Sequence, residues 1–260
     1  MSTALITGGS SGIGLELARV FAREGHRLIL VARSGDKLQE LASELQGKYK
    51  TEVMVIAADL SVMSSGKKIY DQLHQENKRI DFLVNNAGFG DFGFFIESDW
   101  AKVEQMINVN ITALTYLTRL FLPQMVKNGF GKIMNVASTA AFQPGPTMSV
   151  YYATKAYVLH FSEAIGNELE GTGVTVTALC PGATTSGFQA AANLGESKLV
   201  KGKKLPTSKD VAEYGYRAMM KGKAVAIHGF GNWLLAQSPR FAPRGWVVKV
   251  ARKVQEETKK

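Results

Sequence analysis

Short apolar runs alternate with amphipathic stretches from the first residues of this chain. Ala4-Leu5-Ile6 reads as a strand, and Gly12 to Glu24 as a helix with Ile13, Leu17, Val20 and Phe21 on one face. Arg27 to Ala32 is a second strand. A helix capped near Ser34 follows and carries Leu38, Leu41 and Leu45 at helical spacing. Glu52 to Ala57 is a third strand, about Ser64 to Asn77 a more polar helix, and Phe82-Leu83-Val84 a fourth strand. A loop rich in glycine and phenylalanine, Gly88 to Phe95, leads into a long helical region from Asp99 to about Lys127. Lys132 to Ala137 is the fifth strand. A helix carrying Tyr151 and Lys155 runs to about Glu170, and Val174 to Leu179 is the sixth strand. A looser segment, Pro181 to Pro206, precedes a helix from Ser208 to about Met220 and a seventh strand, Ala224 to Ile227.

Mostly apolar strands that alternate with amphipathic helices predict an α/β fold. Its parallel sheet of about seven strands has helices on both faces. Right-handed crossovers make such a sheet doubly wound. No internal repeat or low-complexity linker interrupts the pattern. The reading is therefore one domain over residues 1–230, with 181–206 as a lid, and a tail over 231–260.

Charge changes the picture of that tail. Residues 1–197 carry 16 basic and 18 acidic side chains, whereas residues 198–260 carry 15 and 4, so the net charge of +9 belongs to the C-terminal quarter. Trp246 to Val254 reads as a basic amphipathic helix. With Trp233, Leu234 and Phe241 beside it, the tail is too apolar to lie fully solvated. Docking on its own domain, on a partner subunit or weakly on a membrane surface are the three expectations. The near-neutral body gives no footprint for nucleic acid. A single cysteine, Cys180, leaves no internal disulfide and fits a reducing compartment; at the end of an apolar strand it reads as a buried structural thiol. No targeting segment is visible and no apolar run approaches bilayer-spanning length, so the expected location is cytoplasmic.

Two constellations carry chemistry. Thr7-Gly8-Gly9-Ser10-Ser11-Gly12-Ile13-Gly14 sits at the first strand-to-helix turn. Glycines there let the backbone approach a phosphate closely, and the helix N-terminus supplies N–H groups and a positive dipole end. The end of the second strand, Val31-Ala32-Arg33-Ser34, offers an arginine where a dinucleotide site reads the ribose. Arg33 suits a 2′-phosphate, which favours NADP(H) and leaves NAD(H) possible. Asp36, the nearest acid, falls in the first turn of the next helix, where the dipole favours acids.

The second constellation is Tyr151 and Lys155, neighbours on one helix face, with Ser138 upstream. A chain with 8 Tyr and 21 Lys supplies such a pair by chance. In this context it describes a tunable acid: an ammonium within a few Å lowers a phenol by roughly 1–3 pKa units. A phenol so tuned exchanges a proton with an alcohol oxygen near neutral pH.

With these motifs in family order, the chain resembles the short-chain dehydrogenase/reductases over about residues 3–230. Gly8, Ser10, Ser11, Gly12, Ile13 and Gly14 match the family's cofactor loop. Asp59 and Leu60 match its adenine-contacting pair, and Asn86, Ala87 and Gly88 lie in its Asn85-Asn86-Ala87-Gly88 signature. Pro181, Gly182 and Thr185 resemble the segment that clasps the nicotinamide amide, and Asn110, Ser138, Tyr151 and Lys155 match the catalytic set. The resemblance selects Tyr151 over Tyr152, which has Ala156 four residues on, and it notes Ser11 where some members carry a second basic residue.

The resemblance implies a Rossmann-type fold and hydride transfer between a nicotinamide and a carbonyl or secondary alcohol. Tyr151 would act as general acid/base, with Ser138 bonding the same oxygen. Lys155 would lower the phenol and hold ribose hydroxyls, and Asn110 would hold a relay water. It also implies a homodimer or homotetramer built on the helices of Asn110 and Tyr151. Phe89, Phe92, Phe94, Phe95, Gln143 to Met148 and Phe188 are candidate pocket walls, which points to a hydrophobic substrate. The competing function is a catalytically silent NADP(H)-binding regulator or scaffold on the same fold.

Overall fold

The computed structural model describes residues 1–185 and 205–255. Its strands are β1 (Thr3–Thr7), β2 (Arg27–Ala32), β3 (Val53–Ala57), β4 (Phe82–Asn85), β5 (Gly131–Val136), β6 (Val174–Cys180) and β7 (Val225–Ile227). Every neighbouring pair is parallel, and the sheet order is β3-β2-β1-β4-β5-β6-β7. The helices are α1 (Gly12–Arg23), α2 (Gly35–Tyr49), α3 (Ser65–Gln75), α4 (Trp100–Ile107), α5 (Leu114–Lys127), α6 (Ser149–Glu168), α7 (Ser208–Met220), α8 (Phe230–Gln237) and α9 (Arg244–Gln255).

Strand alternation sorts the core into two layers. Ala4 and Ile6 of β1, with Leu28 and Leu30 of β2, pack against Leu17 and Phe21 of α1, Leu38 of α2 and Val211 of α7. The intervening residues Leu5, Ile29 and Val31 face the opposite way, toward Ile69 of α3 and Leu117 and Phe121 of α5. Phe21 is fully buried and meets Tyr216 edge-on at 4.9 Å. Burying such a side chain contributes about 1.5–3 kcal/mol. The start of α7 is a capping box: Thr207 Oγ1 accepts from the Asp210 N–H, and the Asp210 carboxylate accepts from the Thr207 N–H.

The long helical region departs from the sequence expectation. Between α4 and α5, Asn108–Ala113 widens into a π-helical turn. The widening coincides with Asn110, whose side chain bonds to the Phe89 backbone and to Thr154. An inserted turn of this kind re-aims side chains and is common at functional sites.

A polar seam crosses the otherwise apolar interior. Asn85 Nδ2 donates to Thr118 Oγ1 at 3.0 Å and to Asn135 Oδ1 at 2.9 Å, and Asn135 Nδ2 donates to Ser162 Oγ at 2.9 Å. The seam ties β4, β5, α5 and α6 together directly beneath the strand ends that carry Asn86 and Ser138. Asn135→Ala strips partners from both Asn85 and Ser162. The unfolding free energy should fall by about 2 kcal/mol, the cost of unmet buried hydrogen bonds, as read from urea denaturation; an unmoved midpoint would contradict this account of the seam.

Candidate active site

Parallel strands deliver their carboxyl ends to one edge of the sheet, and the strand order reverses between β1 and β4. A cleft forms at such a switch point. Here it has a volume of about 1090 Å³ and runs from the β1–α1 loop past the ends of β2, β4 and β5 to the C-terminal helices.

The β1–α1 loop closes on β4 with no spare room. Gly8 has φ +67°, and a Cβ there would lie 2.9 Å from Ala87 Cα. Gly14 has its own constraint: a Cβ would run into the Gly8 carbonyl and the Asn86 amide. Thr7 Oγ1 locks the junction, donating to the Val84 carbonyl at 3.3 Å and accepting from the Asn86 and Ala87 N–H groups at 3.0 Å each. Ser10, Ser11, Gly12 and Ile13 line the cleft where α1 begins, so its first-turn N–H groups sit at the wall.

At the β2 end, Arg33 is exposed and lines the cleft beside Ser34. Asp59 and Leu60 line the same end. Burial pushes the Asp59 carboxyl up, but hydrogen bonds from Ser61 and the charge of Arg33 bring it below its ordinary value. A glycine cradle that a Cβ would fill, a helix N-terminus and a guanidinium fit a dinucleotide phosphate chain.

The other end gathers Ser138, Tyr151 and Lys155. Tyr151 and Lys155, on consecutive turns of α6, are 8% and 5% exposed. Lys155 Nζ donates to the Val136 carbonyl at 2.7 Å, and the Ser138 hydroxyl hydrogen-bonds Tyr151. Gly88 lets the Asn110 amide close on the turn: a Cβ there would stand 3.0 Å from Asn110 Oδ1, and 3.4 Å from Lys155 Nζ.

The expected direction of the Tyr151 shift is overturned. Burial raises Tyr151 above the ordinary phenol value of 10, only partly offset by the Ser138 hydrogen bond. Lys155 is itself lowered by burial, to about 8. Nζ lies 5.8 Å from the Tyr151 ring centroid and is aimed at the Val136 carbonyl, so it does not pull the phenol down.

The Asn110 side-chain amide is fully engaged. Its Oδ1 accepts from the Phe89 N–H at 3.1 Å, while Nδ2 donates to the Phe89 carbonyl at 2.9 Å and to Thr154 Oγ1 at 3.0 Å. The side chain thus clamps the Gly88–Phe89 turn to α6.

The remaining site residues sort by position. Asn86, Ala87, Gly88, Pro181 and Gly182 line the cleft. Gly14 lies behind the loop, and Thr185 bridges to Thr207 while Thr184 takes the place at the wall. Phe89, Gln143 and Met148 form walls, and Phe92 packs on Tyr151 and Tyr152 from outside. Phe94 and Phe95 are exposed away from the cleft, and Phe188 lies outside the described residues. Sequence reasoning placed Thr7 in the loop motif without its locking role, and missed Thr154, Asn232 and the cleft-lining face of α9. The one signal for the last was the apolar spacing of Trp246, Val250 and Val254. No cluster of three metal-ligating side chains occurs among the described residues, nor any helix long and apolar enough to cross a membrane.

Comparison with known proteins places this geometry. The family model described as short chain dehydrogenase matches residues 2–197. A short chain dehydrogenase of Pseudocercospora fijiensis is 36% identical over 189 residues, covering 71% of this chain and 60% of the relative. The very-long-chain 3-oxoacyl-CoA reductase of Rattus norvegicus is 34% identical over 184 residues, 68% of this chain and 58% of the relative. The chain thus matches about 60% of the length of these curated relatives. A short-chain dehydrogenase from Sphingobium yanoikuyae solved with NADPH superimposes with a TM-score of 0.83 at 34% identity, over 93% of this chain and 94% of the other. The bulky-bulky ketone specific alcohol dehydrogenase of Comamonas testosteroni does so with a TM-score of 0.79 at 31% identity, over 93% and 92%.

The lowered Lys155 value gives a stability signature. Between about 8 and the ordinary 10.5, the unfolded chain holds a proton at this position that the folded chain has released. Stability from this site therefore rises with pH through that window and is lost as pH falls to 8. Tyr151 acts in the opposite sense only above about pH 10. The urea midpoint of the wild type, measured relative to Lys155→Met, should climb between about pH 8 and pH 10. A flat difference would refute the assignment.

Proposed function

The chain belongs to the short-chain dehydrogenase family and is an oxidoreductase of that family, and on that premise we propose that it transfers a hydride between NADP(H) and a hydrophobic carbonyl or secondary alcohol. The observation that carries this reading is the convergence of Ser138, Tyr151 and Lys155 at the apolar end of a cleft whose other end holds the glycine loop and Arg33. A bound nicotinamide would supply or accept the hydride. Everything else falls to the chain's own groups.

In the reducing direction, Tyr151 carries its proton at neutral pH, as any phenol does, and burial raises its value further. It delivers that proton to the carbonyl oxygen as negative charge develops there. Ser138 is a second donor preset at the same place, an arrangement that stabilises an oxyanion without reorganisation. Lys155 is cationic below its value of about 8 and supplies the positive charge behind the pair. Asn110 fixes the Gly88–Phe89 turn, and with it the floor on which Lys155 rests.

NADP(H) is favoured over NAD(H) by Arg33, which stands exposed at the β2 end of the cleft. The NADPH complex of the Sphingobium relative supports this preference. A bulky apolar substrate is supported by the wall of Phe89, Met148, Leu235, Val247 and Val250, and by the bulky ketone named for the Comamonas relative.

Tyr151→Phe should cut NADPH-dependent reduction of a broad ketone panel by about 10²–10⁴-fold, the usual worth of a general acid, while NADPH binding measured by calorimetry is retained. Turnover at the wild-type rate would sink the mechanism. Arg33→Asp should weaken NADPH binding by at least about tenfold, the scale of one charge-assisted pair, and leave NADH binding equal or tighter; equal losses for both cofactors would show that Arg33 does not read the phosphate.

A further inference from the structure

The family match ends at residue 197, yet the cleft is closed on one side by α8 and α9, well beyond that point. One side chain ties α9 down. Gln255 is 1% exposed although it lies in the last turn of the described helix. Its amide hydrogen-bonds the Tyr152 hydroxyl, and its Oε1 lies 3.3 Å from Thr147 Oγ1, which shares its one proton with the Pro146 carbonyl at 2.5 Å. Tyr152 is the residue next to Tyr151, and its ring covers Gly145, where a Cβ would collide with it.

Thr147 adds a second observation. It is a β-branched residue at φ +67°, a conformation that costs energy and persists only where the surroundings impose it. Its carbonyl accepts from the Gly93 N–H at 2.8 Å. The loop after β4, the loop before α6 and the C-terminal helix therefore converge on one strained residue. The face of α9 held there is apolar: Trp246, Val250 and Val254 line the cleft, yet they are 69%, 62% and 43% exposed. Side chains of that kind, continuous with a cleft and open to water, are a surface for the apolar part of a bound molecule.

We infer that Gln255 is a positioning residue that latches α9 across the mouth of the cleft, so that Trp246, Val250 and Val254 select substrates with an extended apolar chain on the carbonyl. The inference rests on the carbonyl reductase reading above and adds the substrate shape and the residue that enforces it. Gln255 lines the cleft at its α9 end, and its bonds to Thr147 and Tyr152 set the position of that helix. Its effect therefore falls on the binding of long substrates and not on the chemical step.

The test compares methyl nonyl ketone with methyl ethyl ketone in NADPH-dependent reduction. Gln255→Leu should raise KM for the long ketone about tenfold, the scale of losing a buried hydrogen bond that holds a binding wall. The kcat for the long ketone, and both constants for the short one, should stay within about twofold on the same reasoning. Tyr152→Phe should give the same selective loss, and the double variant should be no worse than either single one. Equal changes for both ketones, or an unmoved KM for the long one, overturn the specificity role. Hydrogen exchange over residues 244–255 judges the latch without turnover: it should quicken in Gln255→Leu while α6 is unaffected, and unchanged exchange overturns the latch. A wild type that reduces neither ketone yet shows quickened exchange in the variant would fault the reductase reading and the substrate selection built on it, and leave the latch standing.

Discussion

A lysine ammonium at 5% exposure is the constraint around which this site is built. A buried charge is tolerated only where neighbouring groups replace water. The Val136 carbonyl at the end of β5 supplies one acceptor at 2.7 Å, and Gly88 lies against both Nζ and the Asn110 amide, whose Oδ1 a Cβ would crowd at 3.0 Å. The glycine then leaves a turn that must be held by something else. Asn110 holds it with both ends of its amide, and α4 and α5 break their α-helical register at that residue. The buried cation, Gly88 and the π-helical turn that carries Asn110 thus meet at one point although they come from three distant parts of the sequence.

The same economy operates at the other end of the cleft. The sheet opens between β1 and β4, and Thr7 bridges the gap with one hydroxyl that donates once and accepts twice. Gly8 and Gly14 are required because β4 and the loop approach to within contact of bare backbone. A Cβ at either position would push the loop off β4 and move α1, whose first turn forms the cleft wall. The polar seam of Asn85, Asn135 and Ser162 lies just beneath and holds the sheet to α5 and α6. Rigidity under the site comes from hydrogen bonds of fixed direction, which specify one arrangement where apolar contact alone would permit several.

This explains which features were legible in the sequence. The strand of Arg27–Ala32 and the helix of Ser208–Met220 have the bounds expected from their patterns, since apolar period and capping residues are local signals. Asn110 could be found as a matching residue, but its bonding could not. Its partners Phe89 and Thr154 are distant in sequence, and the broken helical register leaves no trace in an apolar period. Thr185 and Thr184 differ only by which side of an extended segment faces the cleft, and a one-residue shift reverses that. The C-terminal helix was legible as amphipathic. Which surface it would cover was not, because an apolar stripe does not name its partner.

The reversed shift at Tyr151 bears on how the pair functions. A lysine lowers a neighbouring phenol when its charge is aimed at the phenolate oxygen. Here Nζ is held toward the Val136 carbonyl and passes the ring at 5.8 Å from its centroid. Burial then dominates both groups, raising the phenol and lowering the ammonium. The two shifts favour a neutral tyrosine, which is the proton-donating form needed to reduce a carbonyl. Oxidation of an alcohol needs the phenolate, and that state requires charge compensation beyond what Lys155 supplies in this arrangement. Hydrogen-bond donors brought in by a bound dinucleotide would stabilise the phenolate and lower the proton affinity of Tyr151, so that burial would set the donor and the bound cofactor would make the reverse transfer accessible.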